Sequence, residues 1–308
     1  MKKISWKIIS LLIITILISW TSFTGSGYNI QKPTATFVLP DILHEISGLT
    51  SIDNNTFACI QDENGIIFIY DIALNKIIKQ YNFKLDGDYE GISKVGTTMY
   101  VLRSDGVLFE FLNYQSPDFK LKTYATGIPA NNNEGLCYDV SSNMLLIANK
   151  GKMSKGKEYK DKRAIYGFDL KTKKLIQKPV YEFDVNVVKK YAIDNKIKVN
   201  TKARKGENPE PFIKFMTSAI AIHPFSKKLY VLSAADHLFF VFNQNGSIDH
   251  MESLNANTFN KAEGITFLDN GDMLITNEGQ QKKPTFLRFN YNAKLQKKTI
   301  QPFGKKNI

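Results

Sequence analysis

A short motif, Glu-Gly-Ile or Glu-Gly-Leu, recurs along the chain as Tyr89-Glu-Gly-Ile92, Asn133-Glu-Gly-Leu136 and Ala262-Glu-Gly-Ile265. A looser copy is His44-Glu-Ile-Ser-Gly-Leu49, and a degenerate copy, Thr217-Ser-Ala-Ile220, has serine in place of the glutamate. From Glu45 through Glu90, Glu134 and Ser218 to Glu263, the spacings are 45, 44, 84 and 45 residues. A fixed period of this length is typical of repeat architectures.

Each copy is followed by turn residues and then by further short apolar or amphipathic stretches. After Glu90, for example, a turn at Gly96 precedes the stretches 99–102, 107–111 and 122–126. Four short strands per repeat, rich in β-branched and aromatic residues, indicate one blade of a β-propeller. We therefore predict an all-β fold, a propeller of five four-stranded blades.

The long step between Glu134 and Ser218 leaves a six-bladed ring as the alternative. No further motif copy lies near residue 178, so two insertions at about 151–162 and 185–214 explain the extra length better. The second insertion contains a helical stretch at 187–193. Residues 35–39 resemble a fourth strand without a blade before it, and we expect this strand to close the ring by completing the last blade.

The first 27 residues are typical of a targeting segment. Three lysines precede an apolar run of 13 residues, from Ile8 to Trp20, which is short for a membrane span that needs about 20. We predict a signal peptide or an uncleaved signal anchor at 1–27, followed by a single propeller domain at 30–308. The expected location is the periplasm or the outer face of the plasma membrane, with membrane association through the N-terminal segment.

The charge is concentrated in one region. The net charge is +12, and residues 150–205 hold 18 Lys/Arg against 6 Asp/Glu, so the rest of the chain is close to neutral. Such a region attracts anionic partners. Because the protein is expected outside the cytoplasm, we expect no nucleic acid. A protein or an anionic small molecule remains as a partner, and we expect a monomer.

Propeller connectivity brings the start of each innermost strand and the end of each second strand to the same mouth of the central channel. We therefore expect a ring of acidic residues there, and its members are candidate metal ligands: Glu45, Glu90, Glu134 and Glu263. The other candidate ligand-binding residues at this mouth are Asp62, Arg103, Asp105, Asn149, Lys150, Ser218, Asp236 and Glu278. Arg103 and Lys150 are the candidate internal counter-charges.

Carboxylates this close repel each other by about 3 kcal/mol per pair at 5 Å and an effective dielectric near 20. Raised pKa values, basic side chains or a bound cation must offset that repulsion. Oxygen-only ligands favour calcium, which is the predicted cofactor. Two alternatives stay open, namely glutamates that accept hydrogen bonds from backbone amides of the neighbouring blade, and a ligand site without metal.

The motif set resembles the bacterial SdiA-regulated family, also called YjiK/CarP-like. The resemblance rests on the four Glu-containing copies quoted above, on Gln61-Asp-Glu-Asn64 and on Thr276-Asn-Glu278, and it covers about residues 33–292. It implies a periplasmic or membrane-associated β-propeller linked to calcium response or calcium binding, without an established catalytic activity. Ser218 and the long basic insertions depart from the pattern.

Three functions compete. The first is an exported, envelope-associated propeller that binds calcium or another ligand at the acidic mouth, for sensing or response. The second is a metal-dependent hydrolase of propeller type, phytase-like (a phosphoesterase) or lactonase-like. The third is a scaffold for a protein partner. The chain has no nucleophile-elbow motif, no paired metal histidines and no phosphate-binding glycine loop. We therefore expect a binding protein rather than an enzyme.

Overall fold

The computed structural model describes residues 21–84, 86–116, 118–203, 205–206, 208–295 and 297–300. The described chain begins with two short strands, β1 (Thr21–Thr24) and β2 (Ala35–Val38). Most of the predicted signal segment therefore lies outside the described residues. No helix in the described part is long and apolar enough to cross a membrane.

Five antiparallel sheets of mainly four strands follow one another along the chain. Blade 1 consists of β3 (Ile46–Ser51), β4 (Thr56–Gln61), β5 (Ile66–Asp71) and β6 (Lys76–Asn82). Blade 2 consists of β7 (Tyr89–Val95), β8 (Thr98–Arg103), β9 (Val107–Leu112) and β10 (Lys120–Ala125). Blade 3 consists of β11 (Asn133–Asp139), β12 (Met144–Asn149), β13 (Lys162–Asp169), β14 (Lys174–Leu175) and β15 (Tyr181–Asp184).

In blade 3 the outer position is shared, because β14 and β15 both pair with β13. The second insertion then contains the helix α1 (Val185–Asp194) and a small hairpin of β16 (Thr201–Lys202) and β17 (Glu210–Pro211). It forms no blade, so the six-bladed alternative is wrong. The helix is longer at both ends than the predicted stretch, and Asp184 caps it by accepting a hydrogen bond from the Asn186 amide at 2.8 Å.

Blade 4 consists of β18 (Ala219–Ile222), β19 (Leu229–Ser233), β20 (Leu238–Phe242) and β21 (Ile248–Ser253). Blade 5 contains β22 (Ala262–Phe267), β23 (Met273–Asn277) and β24 (Thr285–Phe289). Its fourth strand is β2, which pairs antiparallel with β24. The predicted closure of the ring by the N-terminal strand is thus confirmed. The strand β25 (Lys297–Ile300) pairs with β1.

The innermost strands β3, β7, β11, β18 and β22 contact one another in a closed ring. Second strands are apolar on both faces because a blade lies on each side of them. In β4, Phe57 and Cys59 pack with Phe286 of blade 5, whereas Ala58 and Ile60 pack with residues of blade 2 such as Ile92. Period-two alternation therefore sends successive apolar side chains to opposite neighbours.

The segment that precedes β2 also packs into the core. Tyr28 is buried, and its hydroxyl donates to the Gly271 carbonyl, in the turn between β22 and β23. The Tyr230 hydroxyl donates to the Ser26 carbonyl at 2.7 Å. The chain therefore enters the propeller on the face where the innermost strands end.

Candidate functional site: the acidic channel mouth

A β-bulge at the start of the innermost strand sets the site. In four blades, one residue of the innermost strand has no partner in the second strand, and this residue directly precedes a glycine. These residues are Ser47, Glu90, Glu134 and Glu263, and all four line the channel. At Gly91, an added Cβ would lie 2.6 Å from the Leu136 Cβ of the next blade, which explains why glycine follows the glutamate.

This register corrects the alignment of the first copy. Ser47, and not Glu45, occupies the glutamate position of blade 1. Glu45 lies two residues earlier, where blade 2 has Asp88 and blade 5 has Lys261. The channel ring thus contains three glutamates, and a second set of charged residues stands outside it.

Two lysines neutralise two of the three channel glutamates. The Lys150 Nζ forms an ion pair with Glu134 Oε1. The Lys261 Nζ lies 3.3 Å from Glu263 Oε1 and 2.5 Å from Glu278 Oε1. Each pair stays within one blade, so these contacts do not join neighbouring blades.

Glu90 has no such lysine partner among the described residues. Burial, followed by the charges of Glu134 and Asp88, raises the pKa of Glu90 to about 9. The carboxyl group is therefore protonated at neutral pH, and it forms a side-chain hydrogen bond with Asp88. Burial also raises the pKa values of Glu134 and Glu263, although Lys150 and Lys261 oppose that shift.

The carboxylate of Glu134 keeps unused hydrogen-bonding capacity. Its Oε2 is buried and has no hydrogen-bond partner among the described residues. Among the described residues, no backbone amide donates a hydrogen bond to Glu90, Glu134 or Glu263. The contacts therefore do not match the alternative in which these glutamates accept hydrogen bonds from the neighbouring blade. A buried carboxylate oxygen without a donor is costly.

The channel segment that these carboxylates help to line is narrow. The channel at Glu90, Glu134 and Glu263 has a free volume of about 10 Å³, which is roughly the room for one water molecule. Among the described residues, no three His, Cys, Asp or Glu side chains are already grouped as metal ligands. The lysines hold Glu134 and Glu263 instead.

A second acidic group lies between blades 1 and 5. Burial, followed by the charges of Glu45 and Glu278, raises the pKa of Asp62 to about 6. The Asp62 Oδ1 is buried and has no partner within the described ranges. Lys261 links this second acidic group to the channel ring, because it pairs with both Glu278 and Glu263.

The structure does not bring the remaining predicted residues to the carboxylates. Arg103 pairs with Asp105 at 2.8 Å, and the Asp105 side chain is exposed whereas that of Arg103 is partly exposed. Asn149 is buried and accepts a hydrogen bond from the Ala164 amide at 3.1 Å. Ser218 donates to the Ala262 carbonyl at 2.7 Å and so joins blade 4 to blade 5.

Asp236 has a structural role at the end of the second insertion. Its carboxylate accepts hydrogen bonds from the amides of Lys214 and Phe215, at 2.9 and 2.8 Å, and from the Ser233 hydroxyl at 2.7 Å. It also lines a separate cavity of about 470 Å³, next to Lys198 and His237.

Three site residues were missed in the sequence. Lys261 and Asp88 stand two positions before a channel glutamate, and side chains two residues apart in a strand share one face. That spacing was the available signal. The signal for Ser47 was its position directly before Gly48. This signal was weaker, because Glu45, two residues earlier, imitates the glutamate of the motif.

No protein-family model and no curated protein matches the sequence. A glutaminyl cyclase from Myxococcus xanthus is similar in structure, with 12% identity, a TM-score of 0.55, and coverage of 84% of this chain and 96% of that one. A protein of unknown function from Bacteroides caccae has 13% identity and a TM-score of 0.45, with 80% of this chain and 72% of that one covered. A chain of a mitotic checkpoint complex has 9% identity and a TM-score of 0.46, with 85% and 93% covered. At such identities the first likeness supports the propeller fold alone.

Proposed function

We propose that this protein binds a single cation, calcium, at the acidic channel mouth, and that it works as a binding or sensing propeller of the cell envelope. The observation that carries the proposal is the buried Oε2 of Glu134, which has no partner within the described residues and lies in a channel with Glu90 and Glu263. A cation would coordinate this oxygen, which no hydrogen-bond donor of the described residues satisfies.

The free volume favours an ion over a molecule. The channel segment that Glu90, Glu134 and Glu263 help to line has a free volume of about 10 Å³, which admits one water-sized particle and no organic ligand. We do not extend the proposal to the hydrolase alternative, because no contact of the described residues favours it.

Calcium has to compete with groups already present. The proton on Glu90 must leave, and Lys150 must release Glu134. Carboxylate oxygens are the ligands that calcium prefers, and the nearby Asp62, Glu45 and Glu278 add negative charge.

The location in the envelope is proposed on the basic and apolar pattern of residues 1–20. The resemblance to the SdiA-regulated family supports the same location and the link to calcium. Membrane association through this segment, a monomeric state and a protein or anionic partner near the basic insertions remain predictions.

Thermal melts of the purified mature protein test the proposal. Calcium at 100 times its dissociation constant should stabilise the wild type by about 2.7 kcal/mol relative to chelator. Glu90→Gln should reduce this gain, because the amide keeps the shape but lacks the charge. Glu210→Gln is the matched control, since the Glu210 side chain is 78% exposed in the β16–β17 hairpin. An equal gain in all three proteins, or none in the wild type, contradicts the proposal.

A further inference from the structure

A cavity wider than the channel lies at its opposite end. It has a volume of about 320 Å³ and is lined by the ends of the innermost strands and the turns that follow them. Volumes of about 300 Å³ and more are typical of small-molecule sites. The apolar residues Leu49, Ile92 and Leu136 line both this cavity and the narrow channel of about 10 Å³, so the cavity adjoins the channel, but none of the three channel glutamates lines the cavity.

Hydroxyl groups form part of the cavity lining. The second residue after the motif glycine is Thr50 in blade 1, Ser93 in blade 2 and Thr266 in blade 5, and all three line the cavity. The Thr50 hydroxyl accepts a hydrogen bond from the Lys94 amide at 3.2 Å. The hydroxyls of Ser93 and Thr266 have no partner among the described residues, although both side chains are largely buried.

Aromatic side chains contribute to the wall. Tyr138 and Phe267 both line the cavity and are partly buried. The Tyr138 hydroxyl donates to Asn143 Oδ1 at 3.0 Å, so its position is fixed by the turn of its own blade. Aromatic faces beside hydroxyl groups suit a ligand that has both C–H and O–H surfaces.

The cavity lining carries charges of both signs, one lysine against two aspartates. Lys94 lies among the lining residues together with Asp53 and Asp269, and Asp53 is held in its turn by the amides of Asn55 and Thr56, each at 2.8 Å. No single sign dominates, in contrast to the acidic mouth.

From these features we infer that the cavity binds a neutral polyhydroxylated molecule of monosaccharide size. Ser93 and Thr266 donate and accept hydrogen bonds with ligand hydroxyls, and Tyr138 and Phe267 pack against its carbon skeleton. This inference does not depend on the proposed cation site, because none of the three channel glutamates lines the cavity.

Ligand-observed NMR and calorimetric titration of the mature protein test the inference. The neutral probes are glucose, galactose and mannose, and the charged analogues are glucosamine and glucuronate. At least one neutral hexose should bind more tightly than both charged analogues. Ser93→Ala and Thr266→Val should each weaken binding by about three- to tenfold, as expected for the loss of one hydrogen bond.

Thr123→Val is the matched control, because Thr123 lies exposed on the outer strand β10, and it should leave the affinity unchanged. Circular dichroism and melting temperature establish that each variant is folded. Glu90→Gln should not alter hexose binding, which separates this inference from the cation proposal. Absence of binding by all three hexoses, equal binding of the charged analogues, or hexose affinities unchanged in both cavity variants would overturn the inference.

Discussion

Glu90 differs from the other two channel glutamates in having a carboxyl neighbour, Asp88, where they have a lysine. In the unfolded chain this group loses its proton near 4.5, whereas in the folded protein its pKa is raised to about 9. Between these values the folded state holds more protons than the unfolded state. The contribution of Glu90 to the free energy of unfolding is therefore fully present below about pH 4.5, and it is lost as the pH rises towards 9.

Glu90→Gln should flatten this pH dependence. The variant carries no titrating group at residue 90, so its melting temperature in chelator should match the wild type at pH 5 and exceed it at pH 9. Melting curves at several pH values measure the effect, and Glu210→Gln should follow the wild type throughout. A Glu90→Gln profile parallel to that of the wild type would show that Glu90 is not the proton-binding group.

Another buried carboxylate joins two blades. Glu110 of blade 2 accepts hydrogen bonds from the hydroxyls of Tyr100 and Tyr124 and pairs with Lys173, which belongs to the β13–β14 turn of blade 3. Burial raises the pKa of Glu110, but Lys173 and the two tyrosines outweigh it and lower the pKa below its ordinary value.

Lys173→Met should destabilise the protein by about 3 kcal/mol, because it leaves a buried carboxylate without its counter-charge. Urea denaturation measures the change, and Lys174→Met, at an exposed neighbouring position, should cost little. The double variant with Glu110→Gln should lose less than the two single losses combined, since the two residues interact directly. Additive losses would contradict the pairing.

Residues of two blades hold the end of the second insertion in place. Arg163 at the start of β13 donates to the carbonyls of Lys214 and Phe215 at 2.7 and 2.9 Å. Asp236 of blade 4 accepts from the amides of the same two residues. Phe215 has a positive φ of 47°, which other residues must hold in place.

Asp236→Ala should therefore loosen the insertion. We expect a loss of about 2 kcal/mol, from charge-assisted hydrogen bonds removed inside the protein, and faster tryptic cleavage among the lysines of residues 185–214. Asp194→Ala is the control, because that side chain is more than half exposed at the end of α1. Equal cleavage rates in the wild type and Asp236→Ala would show that the carboxylate does not hold the insertion.

The strand β2 closes the ring, so truncations should have graded effects. Removal of residues 1–20 should leave the fold intact. Removal of 1–31 should lower the melting temperature because Tyr28 and Ile30 leave the core. Removal of 1–40 should abolish cooperative melting, since β24 would then be an exposed edge. A 1–40 truncation that melts like the 1–31 truncation would contradict closure by β2.

For the molecule as a whole, the repeat period was enough to predict five blades and the closing strand. A period constrains every blade at once, and no single strand has to be assigned correctly for the ring to emerge. The packing of the second insertion was not predictable, because Arg163 and Asp236 act on backbone groups far away in sequence.

The site was predicted only in part. Glu90, Glu134 and Glu263 follow directly from the motif, and Lys150 was correctly taken as a counter-charge. Glu45 lies outside the channel ring because one bulge shifts the register, which a sequence comparison does not resolve. Arg103 was expected to neutralise the ring, yet Asp105 two residues later binds it locally.

The proposed calcium site requires that a cation replace the proton at Glu90. Calorimetric titration of calcium into the purified protein at pH 8, in two buffers of different ionisation enthalpy, measures binding and proton release together. Since Glu90 titrates near 9, the wild type should bind calcium and release about one proton per ion, whereas Glu90→Gln should bind more weakly and release fewer protons. No binding by the wild type, or binding and proton release unchanged by Glu90→Gln, would show that calcium does not displace a proton from Glu90.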